Sequence, residues 1–142
     1  MAVIPAPAAP THHLGGTSFT ALATPSRGSK DTSVWQVEIQ PGTPATPHRL
    51  TREEVFVILD GSARVRIDGD SATAEAGDVV VVPAAVDFEI VAGGTQPLRA
   101  LCCLPQQSQD RQGSGCFHRI GLENEHHGQF VPRSVLAGQC AP

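Results

Sequence analysis

Pro41 to Gly61 reads PGTPATPHRLTREEVFVILDG, and its two halves have opposite character. The first half carries three prolines and a glycine within residues 41–47, too many for a helix and too few donors for a central strand. The second half, Val55 to Leu59, is an unbroken apolar run that ends at Asp60-Gly61. That ending is a strong tight-hairpin signal. Between the halves stand His48, Leu50 and Glu54, and residues two apart on a strand share a face.

Outward from this segment the same style continues. Phe19, Ala21 and Ala23 alternate with Ser18, Thr20 and Leu22, and Trp35, Val37 and Ile39 with Val34, Gln36 and Glu38. Ala63, Val65 and Ile67 alternate with Arg64 and Arg66, as in a strand with one wet face. Asp68-Gly69-Asp70 predicts a turn, and the four valines of Val79–Val82 predict a strand buried in a β interior. Phe88 and Ile90 share a face, Gly93-Gly94 turns the chain, and Leu98 to Leu104 is the last clear strand. Turns every ~8–12 residues and no helical period between residues 18 and 104 make the fold class all-β, a sandwich or barrel.

Composition agrees. A length of 142 residues suits one domain with a real core. Fourteen Gly and twelve Pro exclude a helical bundle. A net charge of −4 with scattered basic residues offers no stripe for nucleic acid or an anionic membrane. No run approaches the ~18–20 apolar residues of a membrane helix. The first residues carry no basic n-region, and Cys102, Cys103, Cys116 and Cys140 form no C-x-x-C pair, so the expected setting is cytoplasmic with reduced thiols. The expected organisation is a loosely held arm over residues 1–16, a core over 17–104, and an extension over 105–142. The extension holds at most one short strand or helical turn.

The segment 41–61 resembles the first motif of the cupins, G-x5-H-x-H-x3-E-x6-G. Gly42, His48, Glu54 and Gly61 take four of its positions, and Leu50 stands at the second histidine. The second motif, G-x5-P-x-G-x2-H-x3-N, is met by Gly77 and Pro83, with Ala85, Phe88 and Ala92 at its remaining positions. The resemblance covers residues 18 to 104 and implies a small single-domain RmlC-like cupin, a double-stranded β-helix or jelly-roll barrel. It also implies a centre for Fe, Mn, Ni, Cu or Zn, open to substrate and used for oxygenation, isomerisation or decarboxylation.

Here His48 and Glu54 are the metal-ligand positions that remain, one short of the usual catalytic three. Leu50 and Phe88 make the floor apolar, which favours an organic ligand held by shape. The expected pocket is His48, Leu50, Glu54, Phe56, Phe88 and Cys102, with His48 and Glu54 hydrogen-bonded. Glu53, of opposite parity, faces solvent, and Trp35 and Phe56 are core. One of Cys102 and Cys103 must point inward, either as a small hydrophobe or as a soft ligand.

His12, His13, His118, His126 and His127 lie in the terminal segments, from which one could replace a lost ligand. Three readings follow: a small-molecule binding module, a metal-dependent oxygenase or isomerase completed by Cys102 or a terminal histidine, and a homodimerising scaffold. No nucleophile elbow, P-loop or dinucleotide fingerprint is present.

Overall fold

The structure, a computed structural model, describes residues 3–106 throughout and beyond them two short backbone strands. Its strands are β1 (His12–Leu14), β2 (Thr17–Ala23), β3 (Thr32–Ile39), β4 (His48–Arg49), β5 (Glu54–Asp60) and β6 (Ser62–Ile67). There follow β7 (Asp70–Glu75), β8 (Val79–Val82), β9 (Asp87–Ala92), β10 (Leu98–Pro105), β11 (Gln109–Gln112) and β12 (Cys116–Arg119). Among the described residues the one helical element is a 3-10 turn at Pro25–Arg27.

Two antiparallel sheets face each other. One has six strands in the order β1-β2-β3-β10-β5-β8, the other four in the order β4-β9-β6-β7. No ladder among the described residues closes them into a hydrogen-bonded cylinder, so the jelly roll is an open one. The core is what two-residue periodicity dictates. Trp35, Val37 and Ile39 point inward from β3, Phe56 and Ile58 from β5, and Leu98, Ala100, Cys102 and Leu104 from β10. Ala63, Val65, Phe88 and Ala92 face them from the four-stranded sheet.

Four expectations need correction. Asp60-Gly61 is no tight hairpin, because β5 and β6 belong to different sheets and the chain crosses between them there. Glycine serves a crossing as well as a hairpin, since both need a positive φ, here 74°. The true two-residue hairpin is Asp68-Gly69, with φ of 51° and 87° and Ile67 paired to Asp70. The valine run is not buried on both faces: β8 is a sheet edge, and Val79 and Val81 are 55% and 49% exposed.

The arm is neither loose nor wholly irregular. His12–Leu14 pairs with β2, Thr11 N–H donates to Phe19 O at 2.8 Å, and Arg27 Nη2 donates to the Pro5 carbonyl. The extension holds two strands rather than one at most, β11 paired with β12, with β11 lying beside β4. The side chains of Cys116 and His118, and His126, His127 and Cys140 altogether, lie outside the described residues.

Ala85 stands at the second motif's inner glycine position and is left-handed, with φ 62°. Its N–H donates to Leu50 O at 2.7 Å, which ties the turn to the segment after β4. A side chain in this conformation costs about 1–2 kcal/mol, partly offset by the greater chain entropy of glycine. Ala85→Gly is therefore expected to stabilise the protein by about 1 kcal/mol, read as a raised midpoint in urea denaturation.

Candidate functional site

The site is assembled by register. Across the six-stranded sheet Trp35, Cys102, Phe56 and Val80 are directly paired in one inward row. Glu54 lies on β5 two residues from Phe56, hence on the same face, and is 6% exposed while Glu53 faces solvent. From the opposite sheet comes β4, only two residues long. Arg49 clamps it to β9 with two bonds to the Asp87 carboxylate, at 2.7 and 2.6 Å. That clamp fixes His48 directly across from Phe88.

The two rings share a face, 5.5 Å between centroids, and Phe88 meets Phe56 across the interior at 6.1 Å. His48 is half-buried, whereas Leu50, Phe56, Phe88 and Cys102 are 2–5% exposed. His48, Glu54, Phe56, Phe88 and Cys102 are thus joined by contacts and register around one end of the core, and buried Leu50 lies two residues beyond His48.

A carboxyl group in an apolar interior needs a partner. The thiol of Cys102, a partner that the sequence pattern does not reveal, donates to Glu54 Oε1. Register explains why this was hidden: Cys102 is 48 residues away and meets β5 only through the pairing of β10. Burial, then the Glu54 charge, then this hydrogen bond hold the Cys102 thiol well above its ordinary value of 9.0. Burial and the Glu54 charge also raise Cys103, on the other face.

Because the folded value is raised, its contribution to stability is complete below the unfolded thiol value and is lost as pH climbs toward the folded one. Unfolding free energy is expected to fall above about pH 9, by up to about 1.4 kcal/mol per unit for one proton. Denaturation series from pH 8 to 10.5 check this, with Cys102→Ala showing the shallower slope.

The donors present do not match the implied metal centre. Leu50 and Phe88 occupy two imidazole positions, and the described residues hold no group of three His, Cys, Asp or Glu arranged for an ion. Cys102 and Glu54 supply one sulfur and one carboxylate.

His12, expected as a terminal histidine, packs edge-on against Trp35 at 6.0 Å, and its Nδ1 is bonded to Thr11 Oγ1 at 2.8 Å. His13 is exposed, its Nδ1 bonded to Ser18 Oγ at 3.1 Å. No helix among the described residues is long and apolar enough to cross a membrane.

Residues 35–104 match the sequence profile of the cupin domain. Among solved structures, the Halomonas sp. KdgF is similar over 68% of this chain and 86% of its own, with 20% identity and a TM-score of 0.59. The Bacillus subtilis oxalate decarboxylase, whose description names Mn(II) centres, is 27% identical over 67% of this chain and 27% of its own, with a TM-score of 0.56. The cupin domain of Schizosaccharomyces pombe Cnp3 is 19% identical over 61% of this chain and 62% of its own, with a TM-score of 0.54. No curated protein matches the chain significantly.

Proposed function

We propose that this cupin-family chain uses the end of its core around Glu54 to bind a small organic molecule with an apolar body and at least one N–H or O–H donor. The observation that carries the reading is the Glu54 carboxylate, 6% exposed among Phe56, Phe88 and Leu50, with Cys102 donating to Oε1. A buried carboxylate is costly in such surroundings. A ligand donor directed at it would make a charge-assisted bond in a low-dielectric setting. His48, half-buried beside Phe88, would fix the ligand's orientation. Phe56 and Phe88 would supply the stacking surface.

Trp35 is the single tryptophan and pairs with Cys102, so its fluorescence reports occupation of the site. Titrations use benzylamine, benzyl alcohol and toluene, of one ring size with and without a donor. Glu54→Gln is expected to weaken the first two by about tenfold or more and leave toluene unchanged. Equal affinity for all three probes in both proteins, or no saturable change in either, would refute the reading.

The second reading is a metal-dependent enzyme, favoured by a thiol and a carboxylate in contact and by the 27% identity to a decarboxylase with Mn(II) centres. Metal analysis of protein purified without chelator separates the two: a near-stoichiometric transition metal lost in both His48→Ala and Glu54→Ala supports the enzyme. The third, a homodimer, is favoured by Val79, Val81 and Leu59, which are 40–55% exposed beside the β8 edge. Val81→Lys would then yield monomers in sedimentation.

A further inference from the structure

We propose that the outer face of the four-stranded sheet carries a separate site for a small oxyanion, a carboxylate or phosphate, centred on Arg64. A groove of about 490 Å³ lies there, on the side away from the core. Its polar side chains are Arg64, Arg66, Ser71, Thr73 and Glu89, and Ala45, from the segment before β4, forms a wall. The volume lies in the range of small-molecule sites.

Register sorts the charges of this face into rows. Asp87 is matched by Arg49 at 2.6 Å, and Glu89 by its cross-strand neighbour Arg66 at 2.5 Å. Arg64 comes next along β6, and its neighbours in register are Val91 and Thr73. No carboxylate stands in that row, and Arg64 makes no ion pair or hydrogen bond among the described residues. The groove therefore holds two guanidinium groups and one carboxylate, and the surplus charge is confined to one position.

A guanidinium fork matches an oxyanion in two parallel bonds, and the hydroxyl of Thr73 in the same row supplies another donor. One surplus charge suits a small anion and is too little for a polyanion. Glu89, held by Arg66, repels a second acidic group and so restricts the length of the ligand.

Titration of the isotope-labelled full chain with inorganic phosphate, and separately with acetate, followed by amide NMR, tests this. Saturable shifts are expected at Arg64, Ser71 and Thr73 with at least one of the two, and which one responds tells phosphate from carboxylate. Arg64→Gln is expected to weaken binding about tenfold or more, and Thr73→Val severalfold. Arg99→Gln, on the other sheet, leaves it unchanged. Both test positions are exposed, so the fold survives the changes. No saturable shift with either anion, or an affinity that Arg64→Gln leaves intact, overturns the proposal.

Discussion

Gly61→Ala is expected to lower the unfolding free energy by about 3–4 kcal/mol, a fall of about 10–13 °C in Tm for a domain of this size. Two effects add. The first is conformational: φ at Gly61 is 74°, and a left-handed L-residue costs about 1–2 kcal/mol. The second is steric: a Cβ at this position would lie 2.4 Å from the Pro97 carbonyl oxygen, which is backbone and cannot rotate away.

Relief requires moving either the β5–β6 crossing or the start of β10, where Leu98 is buried and paired with Ile39. Gly69→Ala separates the two effects. Its φ is 87° but nothing lies within 4 Å of the added carbon, so only the conformational cost of about 1–2 kcal/mol applies. Urea denaturation of the two variants side by side checks the argument. Equal losses would mean that the approach of Pro97 does not constrain the crossing.

Leu50→His combined with Phe88→His is expected to create a transition-metal site where the described residues offer too few donors. His48 and Phe88 are direct cross-strand neighbours on the inward face, and Leu50 lies two residues beyond His48. Three imidazoles and the Glu54 carboxylate would then converge, a donor set suited to Mn, Fe or Zn. Without metal the double variant is expected to lose several kcal/mol, because two apolar side chains that are 2% and 4% exposed become imidazoles. Added metal should restore stability by about 2.7 kcal/mol at a hundredfold excess over Kd. Metal analysis should give about one equivalent per chain, against a lower value for the parent. A folded double variant with no metal and no metal-dependent Tm would show that positions 48, 50, 54 and 88 do not converge.

The alternation of Trp35, Val37 and Ile39, or of Ala63 and Val65, was legible because one buried face per strand leaves a period of two. The inward aim of Glu54 and the outward aim of Glu53 were legible for the same reason. Long-range pairing was not. Whether Val79–Val82 is central or at an edge depends on which strand, if any, lies beyond it, and four consecutive valines look the same in both places. Gly61 marks a reversal of direction without saying whether the next strand pairs with the last or leaves for the other sheet. The bond from Cys102 to Glu54 needed the register of β10 on β5, and the groove around Arg64 needed three strands at once. The sequence of β11 and β12 has no sustained apolar alternation, and backbone pairing leaves little trace in side-chain pattern.

The most direct test of an interior, Glu54-anchored site is where benzylamine sits when bound. In an isotope-filtered NOE experiment, its ring protons should contact the rings of Phe56 and Phe88, and Glu54→Gln should weaken those contacts. Contacts confined to the exposed side chains of either sheet, with none to Phe56 or Phe88, would contradict the account.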